Sequence, residues 1–130
     1  MSAYFDVRKD SPMERRAQRA YVDALLAELL PPLQMAARGC GYALAVHGSL
    51  CRDIDLIAVP WTEQADDPKL LVDRMLGVIA GLLGRATAQD WTSKPHGRQS
   101  ILIYHAGHGA EIDLSVMPRS ATIGQQDGGK

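Results

Sequence analysis

The chain is predicted to be an α+β domain, a mixed β-sheet with helices packed on one face. Helical spacing and strand alternation follow one another along it in the order α-β-β-α-(β)-β-β. Two of its strand-like runs alternate acids with apolar residues. Two helix starts are marked by a cap followed by proline, Ser11-Pro12 and Asp67-Pro68.

Residues 1–10 read as a flexible lead-in to a single domain over 11–118, and 119–130 as a disordered Gly/Gln-containing tail. Ser11-Pro12-Met13-Glu14 has the form of a capping box, with Ser11 at N-cap, Pro12 at N1 and Glu14 at N3. The helix it opens places Ala17, Ala20, Tyr21, Ala24, Leu25 and Leu29 on one stripe. Pro31-Pro32 is expected to interrupt it, because neither proline donates a backbone hydrogen bond. A further helical piece, Leu33 to Arg38, is expected to close at Gly39.

Tyr42 to His47 then reads as a strand ending at Gly48-Ser49, and a second strand runs to about Val59. The helix after Asp67-Pro68 carries Leu71, Met75, Val78, Ile79 and Leu82 on one stripe and stops at Gly84, with Gly77 and Gly81 as close-packing positions. Ala86 to Trp91 reads as a third strand and 93–97 as a loop. Arg98–His105 and Ala110–Met117 form a predicted hairpin around Ala106-Gly107-His108-Gly109.

At 130 residues and 46% apolar, the chain is one ordinary domain with material for a core. Its 14 basic and 15 acidic residues argue against a protein that coats nucleic acid or a membrane surface, so a nucleic-acid acceptor is not indicated by charge. No apolar run approaches the roughly 20 residues that span a bilayer, and the N-terminus lacks the apolar core of a secretory signal. Cys40 and Cys51 have no metal-ligand spacing and read as thiols of a reducing cytoplasm.

The chemistry is concentrated in three aspartates. Asp53 and Asp55 alternate with Ile54 and Leu56, so the carboxylates share one strand face while the apolar pair enters the core. Glu111 and Asp113 repeat the arrangement around Ile112. Carboxylates held this close repel one another and raise one another's pKa. A divalent cation with oxygen ligands removes the conflict, and Mg²⁺ bridged to phosphates is the usual occupant. Phosphoryl or nucleotidyl chemistry follows as the expectation.

Gly48-Ser49 at a strand end, Asp53-Ile54-Asp55 on the next strand and Asp113 on a later one together resemble the nucleotidyltransferase fold of the DNA polymerase β superfamily. The likeness is closest to its small stand-alone members and covers about residues 40 to 117. It implies that Gly48 and Ser49 hold a triphosphate, that Asp53, Asp55 and Asp113 are the catalytic metal ligands, and that Asp113 faces the attacking hydroxyl. The cofactor implied is Mg²⁺ in a two-metal site, with Mn²⁺ as a substitute, and the substrate is an NTP. Only Leu50, Cys51 and Arg52 separate Gly-Ser from Asp53, fewer residues than the family usually has. Arg52 reads either as a phosphate contact or as a partner of Asp53 or Asp55.

Lys94, His96 and Arg98 form a cationic group, read either as a substrate-gripping rim or as a solvated loop. Glu111 is an extra ligand or a rim residue, and Ser115 lies on the Asp113 face. His47 packs at its strand end or lines the nucleotide pocket, His105 and His108 flank a turn, and Trp61 and Trp91 stack on a base or pack in the core. The leading expectation is a nucleotidyltransferase passing a nucleoside monophosphate to an acceptor. The alternative is a degenerate module of the same fold that binds a nucleotide, a helical protein partner of the toxin–antitoxin kind, or a second copy.

Overall fold

The first helix, α1 (Pro12–Gly39), begins at the capping box expected for it. The Ser11 Oγ accepts from the Glu14 N–H at 3.0 Å, and the Ser11 N–H donates to Glu14 Oε1 at 2.9 Å. This computed structural model describes residues 11–48, 53–105 and 111–119.

Pro31 and Pro32 do not break α1, which is continuous through both. Each proline removes one helical donor, but Leu29, Leu33 and Ala37 on either side are buried, and that packing outweighs the lost hydrogen bonds. The buried stripe also differs from the expected one. Val22, Leu29, Leu33 and Ala37 carry it, while Ala17, Ala20, Tyr21 and Ala24 are exposed. Helix–helix and helix–sheet packing, set by neighbours distant in sequence, selects which of two apolar stripes is used. Gly39 is the last residue of the helix and not the glycine beyond its end: Cys40 caps it, and Gly41 follows with φ +90. A Cβ on Gly41 would sit 2.8 Å from the Ala65 Cα, so this position demands glycine twice over.

Six strands follow: β1 (Tyr42–His47), β2 (Ile54–Pro60), β3 (Ala86–Ala88), β4 (Thr92–Ser93), β5 (Gln99–His105) and β6 (Ile112–Val116). The sheet order is β1-β2-β6-β5-β3, with β4 also paired to β5. Pairing is antiparallel except between β2 and β6, which run parallel and make the sheet mixed. The expected third strand is trimmed to Ala86–Ala88, and Trp91 packs against the core. Part of the expected loop is the short β4, followed by a 3₁₀ turn at Pro95–Gly97. Strands β5 and β6 pair as a hairpin should, although their connection, 106–110, lies outside the described residues.

Helix α2 (Pro68–Leu83) starts on Asp67, whose Oδ1 accepts from the Lys69 N–H at 2.9 Å, and stops at Gly84. Its buried residues are Leu71, Val72, Met75 and Ile79. Leu82, expected on that stripe, is 51% exposed. Gly77 and Gly81 are not close-packing positions, since a Cβ on either would meet nothing within 4 Å.

Both helices pack against the sheet and each other. The core lies between: Ile54, Leu56, Ala58, Ile101, Ile103, Ile112, Leu114 and Val116 are all buried on the helix side. By strand parity the intervening residues face the other way. Residue 119, expected in the tail, is tied down, with Arg119 Nη1 donating to the Ala65 carbonyl at 2.9 Å. Among the described residues no helix is long and apolar enough to cross a membrane.

Candidate active site

The helix-free face of the sheet is organised in rows set by strand register. His47 on β1 pairs with Asp55 on β2, Asp55 with Asp113 on β6, and Asp113 with Leu102 on β5. The next row, one step along β2 and β6, is Ala45, Ile57, Ser115 and Ser100. Asp55 and Asp113 are therefore side by side on one face, each partly buried, and their separation is set by inter-strand spacing, about 4.8 Å between neighbouring backbones.

Asp53 is brought to the same edge but is oriented differently. Its Oδ1 accepts from the Glu111 N–H at 3.3 Å, while the Glu111 carbonyl accepts from the Ile54 N–H at 2.9 Å. These bonds fasten the beginnings of β2 and β6 together, so Asp53 helps fix the register that aligns Asp55 with Asp113. Glu111 contributes its backbone to that clasp.

Gly48 closes the site from the β1 side. It has φ +85, and a Cβ there would collide with Asp55 Oδ2 and lie 3.2 Å from Asp55 Cβ and Cγ. Only glycine lets the backbone turn lie against this carboxylate. Ser49 and Arg52 lie outside the described residues.

The electrostatics agree with the placement. Burial pushes the Asp55 carboxyl above its ordinary value, the neighbouring Asp113 charge pushes it further, His47 partly offsets this, and Asp53 adds a smaller upward push. Among the described residues no three His, Cys, Asp or Glu side chains converge as a metal-holding group. The adjoining pair is nonetheless a hard-oxygen donor set whose mutual repulsion a divalent cation relieves. Mg²⁺ commonly takes only one or two protein carboxylates and completes its shell with water and substrate phosphates. Asp55 and Asp113 fit that cation, and Asp53 borders them.

The cationic residues divide. Lys94 is exposed, and its N–H donates to the Arg98 carbonyl at 2.8 Å, closing the 94–98 loop. Arg98 is half-buried, and its Nη1 donates to Ser115 Oγ at 2.9 Å. That bond brings a guanidinium onto the carboxylate face. His96 is exposed at the tip of the loop with φ 67.

Two relationships among the named residues were not evident from residue types. His47 reads from sequence either as a strand-end packing residue or as part of the pocket lining, and register sets it opposite Asp55. The Arg98–Ser115 contact joins residues 17 apart in sequence. For the second, strand parity was the available signal, since 113 and 115 share a face; the first depends on the β1–β2 register. Trp61, 61% exposed, lies away from this site, beside a cleft of about 1010 Å³ between α1 and the start of β1.

No protein-family model, curated protein or solved structure matches the chain.

Proposed function

We propose that this domain is a Mg²⁺-dependent nucleotidyltransferase that passes a nucleoside monophosphate from an NTP to an acceptor hydroxyl. The observation that carries the reading is the Asp55–Asp113 register pair with the Gly48 backbone seated against Asp55. In this reading Gly48 and the adjoining Ser49 receive the triphosphate, and Asp55 and Asp113 hold the cation, Mg²⁺ or Mn²⁺, with Asp53 bordering it. When bound, the cation supplies charge neutralisation at the entering and leaving oxygens. The acceptor oxygen bonds the α-phosphorus, the α–β bridging P–O bond breaks, and its electron pair leaves on pyrophosphate. The hydroxyl proton passes to Asp113 and then to water. The protein's contribution is positioning and a fixed electrostatic surface. The free buried Cys40 suits a reducing cytoplasm as the place of action.

Incubation with Mg²⁺ and each labelled NTP tests the reading. Pyrophosphate release and transfer of label that vanish in Asp55→Asn and Asp113→Asn support it. Absence of metal-dependent nucleotide binding overturns it.

One observation favours a second reading, a partner-binding module of the same fold. Met35, 76% exposed, and Trp61, 61% exposed, border the cleft lined also by Pro31, Gln34, Arg38 and Tyr42. Such a pair of exposed large apolar side chains is suited to an amphipathic helix or a second copy. Stabilisation by neither NTP nor metal, together with concentration-dependent self-association that Trp61→Ala abolishes, would favour it over the enzyme.

A further inference from the structure

The position of Arg98 relative to the Gly48 turn constrains what the acceptor is. Strand β1 runs antiparallel to β2, so Gly48, after His47, lies beyond the carboxylate row on the side where β2 and β6 begin. Ser115 lies on the opposite side of that row, two residues past Asp113, or about 7 Å along the strand. Ser115 is only 4% exposed, and its hydroxyl accepts from Arg98 Nη1 at 2.9 Å. The order along the face is therefore Gly48 turn, Asp55–Asp113 pair, then Arg98 on Ser115.

In-line displacement places the entering oxygen opposite the departing pyrophosphate. With the triphosphate on the Gly48 side, the acceptor approaches from the Arg98 side. Arg98 donates there to a neutral hydroxyl, so its charge is not cancelled by that contact, and the remainder of its planar fork suits a phosphate oxygen pair. The loop delivering it is held at both ends. The Lys94 N–H donates to the Arg98 carbonyl, and a Cβ on Gly97 would lie 3.2 Å from Pro118 Cγ. His96 at the loop tip has φ 67, a left-handed conformation that histidine adopts more readily than most non-glycine residues.

Resting on the nucleotidyl-transfer reading above, we propose that the acceptor is a small phosphate-bearing hydroxyl compound whose phosphate is gripped by Arg98, with Ser115 as the residue that positions Arg98. A small compound is favoured over a polynucleotide because the 14 basic residues are outnumbered by 15 acidic ones, so the chain as a whole carries no positive charge excess to draw in a polyanion.

The test titrates inorganic phosphate and, separately, a non-hydrolysable ATP analogue with Mg²⁺ into the full chain, following amide resonances. Phosphate should bind and shift Arg98 and Ser115 resonances, and should still bind when the nucleotide site is saturated. Arg98→Ala should weaken phosphate by about tenfold or more, and Ser115→Ala by about threefold, with Ser115→Thr restoring it and nucleotide affinity unchanged throughout. Phosphate that competes with the nucleotide, or an Arg98→Ala loss falling equally on both ligands, would move Arg98 to the triphosphate and overturn the assignment. Nucleotide binding without phosphate binding refutes the acceptor class alone. Phosphate binding at Arg98 without any nucleotide binding refutes the underlying transferase reading and the acceptor role with it. A short 5′-phosphorylated oligonucleotide binding at least tenfold more tightly than glycerol 3-phosphate would overturn the small-acceptor claim.

Discussion

Asp55 and Asp113 are register partners across the parallel pairing of β2 and β6, and the neighbouring Asp113 charge raises the Asp55 carboxyl on top of the rise from burial. Two acids are thereby held adjacent at a net electrostatic cost to the folded chain, the kind of local cost that binding sites carry.

That cost gives a pH prediction. The Asp55 pKa is higher folded than unfolded, so near its titration the native state binds more protons than the unfolded chain. Its contribution to stability is most favourable below the unfolded value and declines as pH rises through the folded one. At neutral pH Asp55→Asn should raise the melting temperature, a gain that disappears as pH falls below the ordinary aspartate range. Calorimetry across pH checks the sign.

The same pair predicts a metal effect. Mg²⁺ at roughly ten times its dissociation constant should stabilise the wild type by about 1.4 kcal/mol, and EDTA should reverse it. Asp55→Asn and Asp113→Asn should each remove most of that increment. A Mg²⁺-independent melting curve for the wild type, with and without NTP, would refute the assignment.

Gly48→Ala should cost about 1–3 kcal/mol, combining a left-handed backbone with a Cβ driven into the Asp55 carboxylate. Nucleotide-dependent stabilisation should fall with it, because the carboxylate must rotate away. Thermal-shift titration separates the two losses.

Gly77→Ala and Gly81→Ala should each stabilise the fold by about 0.5–1 kcal/mol, since both lie inside α2 with open space where the methyl would go. Denaturant unfolding reads this directly, and ligand binding should be unchanged.

Where sequence and structure agree, the signal was local. Ser11 and Glu14 cap α1 as their spacing dictates, Asp67 and Gly84 bound α2, and Ile54, Leu56, Ile112 and Leu114 turn inward opposite the aspartates. Where they differ, the deciding contact was remote. Pro31 and Pro32 stay helical because Leu33 and Ala37 beyond them are buried, and α1 is capped at Cys40 with Gly41 pressed on Ala65, 24 residues further along. Leu82 fits the periodicity of α2 yet ends exposed.

The amino-acid order by itself determined the two-layer class, the faces of β2 and β6, and the chemistry of their acids, because caps and alternation act over a few residues. Only the tertiary structure decided that β2 lies beside β6, parallel and in a register that aligns residue 55 with 113, and that Arg98 reaches Ser115. Strand pairing joins segments far apart in sequence, here with α2 and three strands between them, and a shift of one residue would send either carboxylate to the opposite face.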